Sequence, residues 1–127
     1  MKEAGLEYVS DWVNDDQPYY MKTLHGPLVS MPYTIELNDI QIFLRGGYTP
    51  EQYYRMLIDQ FEVMYEEGAK SARIMGISLH PFIAGVAYRS KYLRKALLDI
   101  AASPGVWLAT GSEIVSWFKQ AVSYKED

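Results

Sequence analysis

The chain has 127 residues, of which 49% are hydrophobic and 22% are charged, a balance typical of one soluble globular domain. Its 12 basic and 16 acidic residues give a net charge of −4, so no basic surface is expected for a nucleic acid or an anionic membrane. The absence of cysteine excludes disulfides and thiolate metal sites and favours a cytoplasmic location. The sequence has no run of about 18 apolar residues and no apolar leader after Met1, so neither a membrane span nor a signal peptide is predicted.

The first residues of the sequence predict the end of a helix, followed by a strand. Residues 1–4 are typical of a last helical turn closed by Gly5, and residues 6–13 predict a β-strand that stops at a polar turn. Prolines 18, 27 and 32 then indicate a long loop over residues 14–34, with a short extended piece at 28–31. Residues 34–39 alternate apolar and polar side chains, as a half-exposed strand does.

The rest of the sequence alternates helices and strands. Thr49, Pro50 and Gln52 form a capping-box pattern that predicts a helix ending at Gly68. Residues 73–79 predict a buried strand, residues 88–102 a second helix and residues 106–109 a short strand. A second capping box at Thr110 predicts the last helix.

This order predicts an α/β fold with parallel strands, crossover helices and a long loop or hairpin insertion. The strands are too few to close an eight-stranded barrel, and the edge before Leu6 would be unpaired. Residues 1–127 are therefore expected to form a single partial domain, or one that another chain completes.

His80 is the first candidate for chemistry, because it stands where the predicted strand 73–79 ends. Pro81 forces the preceding residue into extended geometry, and the loop that Pro81 begins could form a wall of a substrate site. A neutral imidazole can take or give a proton near neutral pH, although a lone histidine beside an apolar strand is often a satisfied core group. Both interpretations remain open from the residues alone.

Asp11 and Trp12 stand at the corresponding end of the first predicted strand. Asp11 could orient a cationic or imidazole partner, and Trp12 could form an apolar floor that excludes water. The alternative for Asp11 is a solvated loop edge. His25 is expected to be an exposed loop histidine, with substrate binding as its functional alternative.

Glu36, Asn38 and Asp39 form a third polar cluster and are candidate substrate-binding residues. Their alternative role is turn and strand surface. Glycine-rich phosphate loops, His-Glu-x-x-His and Gly-x-Ser-x-Gly are all absent from the sequence. His25 and His80 alone would make a poor zinc site, so no metal site and no cofactor are expected in this chain.

Two motifs resemble a known family. Residues 8–12, Tyr-Val-Ser-Asp-Trp, resemble the Asp-Trp motif of the polysaccharide deacetylases, or NodB homology domains, and residues 77–81, Ile-Ser-Leu-His-Pro, resemble their final Leu-x-Leu-His motif. The segments at 15–19, 25–29, 34–39 and 106–117 resemble the branch with cofactor-independent allantoinases and peptidoglycan deacetylase-like proteins. The similarity covers nearly the whole chain, but only the C-terminal half of the family's domain.

The resemblance implies the C-terminal part of a distorted (β/α) barrel and a carbon–nitrogen hydrolase acting on non-peptide amides. It implies that His80 is the general acid for the departing nitrogen, that Asp11 positions an arginine and that Trp12 lines the substrate pocket. The family's catalytic aspartate, metal-binding histidine pair and arginine would all lie upstream, so the chain alone is expected to be inactive. A divalent metal in the complete enzyme is left open, because the allantoinase-like branch works without one.

The expected partners are a small-molecule amide or an acetylated amino sugar, an N-terminal half-domain chain, and further copies of this chain. Neither a nucleic acid nor a membrane is expected as a partner. The alternative function is a non-catalytic fragment that binds a ligand or partner through its exposed sheet edge. The sequence leaves sugar deacetylation and ureide hydrolysis equally open.

Overall fold

A small mixed sheet forms near the beginning of the chain in the computed structural model, which describes residues 1–125. Its strands are β1 (Tyr8–Val9), β2 (Tyr19–Met21) and β3 (Leu28–Ser30), in the order β1-β3-β2. β1 is parallel to β3, and β2 is antiparallel to it. All three residues of the central strand β3 are buried, which confirms the extended piece predicted at 28–31.

The chain folds as two units, here called the first and the second unit. The first unit comprises residues 1–33 and 109–125, and the second comprises residues 34–108. The assignment of the chain to one domain remains a prediction.

The second unit is helical. It contains α1 (Pro50–Gly68), α2 (Pro81–Ala84) and α3 (Ala87–Ala101), preceded by a π-helical turn at Ile40–Arg45. The Thr49 hydroxyl accepts from the N–H of Gln52 while the Gln52 side chain accepts from the N–H of Thr49, so the predicted capping box is confirmed. The buried core of this unit consists of Leu37, Ile42, Phe43, Tyr53, Leu57, Ile83 and Ala96.

The first unit combines the sheet with α4 (Gly111–Ala121). The second predicted capping box is confirmed at Thr110 and Glu113, and Val115 and Phe118 are buried on one face of the helix. Gly5 has φ of 82°, as expected for the left-handed residue that closes the short 3₁₀ turn Lys2–Ala4. No helix of residues 1–125 is long and apolar enough to cross a membrane.

Four predicted strand assignments are wrong in whole or in part. Residues 73–79 and 106–109 have no partner strand among residues 1–125, and residues 34–39 form a turn leading into the π-helical segment. The predicted strand 6–13 is reduced to β1. The apolar pattern at 73–79 has another cause, because Met75 and Ile77 pack against the helical core.

The fold class is correspondingly confirmed only in part. Strands and helices coexist, but the sheet is mixed, and its parallel pair β1 and β3 is connected through β2. The predicted crossover helix between neighbouring parallel strands is therefore absent from this sheet. The antiparallel β2 and β3 supply the hairpin, although the sequence predicts a loop at the position of β2.

Candidate functional site

His80 occupies the position that the His-Pro sequence predicts. Its backbone is extended, with φ of −115° and ψ of 121°, and Pro81 is the first residue of α2. The proline ring disfavours helical geometry at the residue before it and fits the first turn of a helix. His80 is therefore placed where an extended segment changes into a helix, with its imidazole 35% exposed.

Asp39 is the main partner of His80. The Oδ1 atom of Asp39 lies 2.6 Å from Nδ1 of His80, and Oδ2 accepts a hydrogen bond of 2.7 Å from the His80 backbone N–H. The carboxylate of Asp39 is completely buried. A buried charge requires paired hydrogen-bond partners, and the backbone and ring of His80 supply them.

Two further backbone contacts fix this carboxylate. The N–H of Ala84 in α2 donates to Oδ2 of Asp39 at 3.3 Å, and the N–H of Asp39 donates to the carbonyl of Ser78 at 3.1 Å. Asp39 thus connects the turn before the π-helical segment to both sides of His80. Asp39 and His80 are 41 positions apart, so only the tertiary fold brings them together.

The geometry suits proton transfer through the second ring nitrogen. With Nδ1 occupied by the carboxylate of Asp39, Nε2 of His80 is the nitrogen that can exchange a proton with another molecule. A carboxylate at Nδ1 fixes the ring orientation and stabilises the protonated imidazole. The pair can therefore serve as an oriented general acid or base.

Tyr53 of α1 adds a polar group to the same helical core. Burial, with a smaller contribution from the charge of Asp39, raises the pKa of the Tyr53 hydroxyl, so this group stays protonated. The hydroxyl is buried and has no hydrogen-bond partner within residues 1–125. The ring of Phe43 packs edge-on against Tyr53 at 5.0 Å between centroids. No sequence pattern singles out Tyr53.

The other predicted site residues of the second unit differ in exposure. Glu36 and Pro81 are exposed, whereas Asn38 is buried and its Oδ1 accepts from the N–H of Ile40 at 2.9 Å. The sequence predicts that Asp39 contacts substrate. The structure places its carboxylate inside the protein as the partner of His80, with no surface open to a ligand.

The predicted site residues of the first unit lie on its surface. Asp11 is exposed, and Trp12 is 57% exposed despite its large apolar ring. Nε2 of His25 lies 3.5 Å from a carboxylate oxygen of Glu3, and both side chains are largely exposed. The roles predicted for these residues remain predictions.

Within residues 1–125, no group of three or more histidine, aspartate or glutamate side chains lies close enough together to hold a metal ion. Catalytic metal sites in proteins generally use three such ligands. The His80 and Asp39 pair alone does not fit that requirement, so no step of the chemistry described below passes through a metal.

Comparison with known proteins shows which sequences and folds this chain resembles. No protein-family model matches the chain. A Schizosaccharomyces pombe protein provisionally named a polysaccharide deacetylase is 33% identical over 98% of this chain and 43% of its own length. The sequence resemblance is thus confirmed by a curated homologue.

Solved structures agree with this relationship. A Pseudomonas aeruginosa protein, also provisionally named a polysaccharide deacetylase, has a TM-score of 0.90 and 31% identity over 98% of this chain and 43% of its own. The PuuE allantoinase has a TM-score of 0.90 and 26% identity, over 98% and 42% respectively.

This chain is therefore a homologue of proteins provisionally named polysaccharide deacetylases and of an allantoinase, and it spans less than half of their length. The matching part is the C-terminal portion of these relatives.

Proposed function

We propose that this chain is the C-terminal portion of a carbon–nitrogen hydrolase that acts on non-peptide amides. The observation that carries the proposal is the contact between the buried carboxylate of Asp39 and Nδ1 of the half-exposed imidazole of His80. The relatives' names, polysaccharide deacetylase and allantoinase, are compatible with hydrolysis of a C–N bond outside a peptide. Both the His80 and Asp39 pair and the relatives' names are compatible with a reaction step that needs a proton donor.

His80 is the proton donor for the leaving nitrogen in this proposal. Water adds to the amide carbon, the C–N bond breaks, and the proton on Nε2 moves to the departing nitrogen, which leaves uncharged as the amine of an amino sugar or the ureido nitrogen of a cyclic ureide. Asp39 stabilises the imidazolium before the transfer and holds the ring in one orientation throughout. General acid catalysis of this kind typically contributes about 10²- to 10⁴-fold in rate.

The attacking water needs groups that activate it. We assign that role to the part of the relatives that this chain does not span. In the Schizosaccharomyces pombe and Pseudomonas aeruginosa proteins this part is about 57% of the length (100 − 43). The chain on its own is accordingly inactive in this proposal, and an N-terminal half-domain is its partner. Together the two parts would form the distorted (β/α) barrel that the resemblance implies.

Further predicted properties belong to the same proposal. Asp11 would position an arginine of the N-terminal part, and Trp12, Glu36, Asn38, His25 and Pro81 would contact substrate. Self-association, a place in carbohydrate metabolism and a cytoplasmic location also remain predictions. The last of these is supported by the cysteine-free sequence.

A second candidate function is a non-catalytic binding fragment. The extended segment 73–79 favours it, because this segment has no partner strand among the described residues, and an unpaired extended segment can add to a strand of another chain. A hydrolytically active complete protein would eliminate this candidate.

A chimera tests the two candidates directly. This chain replaces the matching C-terminal portion of the Pseudomonas aeruginosa relative, whose structure aligns with a TM-score of 0.90. Hydrolysis of allantoin and of acetylated chitooligosaccharides is then measured with and without a chelator. The proposal predicts activity on one of these substrates and a loss of about 10²- to 10⁴-fold in kcat in the His80→Ala variant.

The matched control is Tyr88→Ala, which removes another exposed side chain from the second unit. This variant should keep the activity of the chimera. Full activity in a folded His80→Ala chimera would refute the proposed role of His80, and an inactive chimera with native-like folding would favour the binding fragment.

A further inference from the structure

Phe82 stands out beside the proposed proton donor. Its side chain is 73% exposed, and its ring centroid lies 5.6 Å from that of the His80 imidazole at an interplanar angle of 68°. Single exposed apolar residues are common on protein surfaces, so exposure alone carries no argument. The edge-to-face contact with the imidazole places this exposed ring at the reacting group.

The backbone that carries Phe82 is fixed by the same carboxylate that orients His80. Oδ2 of Asp39 accepts from the N–H groups of both His80 and Ala84, which flank Phe82 in sequence. The His80 carbonyl in turn accepts from the N–H of Ile83 at 2.8 Å and of Ala84 at 3.0 Å. The backbone position of Phe82 is therefore tied to that of His80.

The neighbours of Phe82 show that this turn is tightly packed on one side. Ile83 and Ala84 are 1% and 2% exposed, so they anchor α2 in the core of the second unit. A Cβ atom at Gly85 would overlap the carbonyl oxygen of Pro81, which shows how closely the turn is wound. Phe82 thus points outward from a buried segment, and its contact with the imidazole of His80, not its exposure, carries the argument.

We propose that Phe82 is a specificity-determining residue whose ring packs against the ring of a cyclic amide while His80 faces the leaving nitrogen. This inference rests on the proposed function and narrows its substrate class. The substrate carries its amide on or next to a ring with a flat or apolar face, a property that cyclic ureides and acetylated amino sugars share. Acyclic amides lack the surface that Phe82 would contact.

Ligand binding to the 127-residue chain tests this inference without catalysis. The chain is labelled with ¹³C in its phenylalanine and histidine rings and titrated by NMR with allantoin, N-acetylglucosamine and acetamide. At least one ring-bearing probe should shift the Phe82 and His80 resonances. Phe82→Leu should weaken binding of that probe about three- to tenfold, the range expected for an aromatic contact, and leave the weak response to acetamide unchanged.

Two variants make the result interpretable. Tyr88→Leu removes a 57% exposed aromatic ring from the same unit and should leave binding of every probe unchanged. His80→Gln removes the proposed proton donor but should still allow ring-bearing probes to shift the Phe82 resonances. Loss of catalysis in this variant is therefore distinguishable from loss of the Phe82 contact. The inference is overturned if neither ring-bearing probe shifts the Phe82 resonances, or if Phe82→Leu weakens acetamide and ring probes equally.

Discussion

Replacement of Asp39 by asparagine should separate the structural and chemical roles of the His80 partner. The carboxylate accepts from two backbone N–H groups through Oδ2 and contacts Nδ1 of His80 through Oδ1. An asparagine side chain keeps one acceptor oxygen and presents an NH₂ group in place of the other. The oxygen can keep both backbone hydrogen bonds, but the contact with Nδ1 of His80 loses its charged acceptor, which costs about 1.5–3 kcal/mol of unfolding free energy.

Urea denaturation followed by far-UV circular dichroism measures this cost. The matched control is Asp59→Asn, which makes the same change at an exposed position of α1 and should alter the unfolding free energy by less than about 0.5 kcal/mol. In the chimera, Asp39→Asn should also reduce kcat towards the level of His80→Ala, because the ring loses its orienting carboxylate. Equal stabilities for the Asp39 and Asp59 variants would refute the assigned hydrogen-bond network.

Two further predictions concern the helices. The backbone and side chain of Thr110 donate hydrogen bonds that lower the pKa of Glu113 below its ordinary value of 4.5. The resulting stabilisation is fully present above pH 4.5 and is lost as the pH falls through the lower pKa of the folded state. Melting temperatures between about pH 2.5 and 7 should therefore show a smaller acid-side decline in Glu113→Gln, and an unchanged decline would contradict the capping geometry. Leu57 is completely buried in the helical core, so Leu57→Ala should lower the unfolding free energy by about 2–5 kcal/mol in urea denaturation, and a cost below about 1 kcal/mol would contradict the described core.

Local chemistry makes part of the fold predictable. The capping boxes at Thr49 and Thr110 depend on residues three positions apart, and the sequence predicts both correctly. The extended geometry of His80 follows from the proline after it. These features are decided within a few residues, so the sequence pattern contains them.

Features that depend on distant partners are not predictable in the same way. Apolar residues at 73–79 are compatible with a strand or with an extended segment packed on helices, and only the fold distinguishes the two. The role of Asp39 depends on a residue 41 positions away, and no local pattern marks that pairing. The sequence does not single out Phe82, because the importance of its exposed ring comes from its contact with His80.

The proposed acid role of His80 is tested most directly by comparing a substrate whose leaving group must be protonated with one whose leaving group departs unprotonated. In the chimera, kcat/KM of the parent and of the His80→Ala variant is measured for the amide substrate and for p-nitrophenyl acetate, whose phenolate departs without protonation. We expect a loss of about 10²- to 10⁴-fold for the amide and a much smaller loss, within about tenfold, for the ester. Equal losses for the two substrates would contradict the acid role of His80.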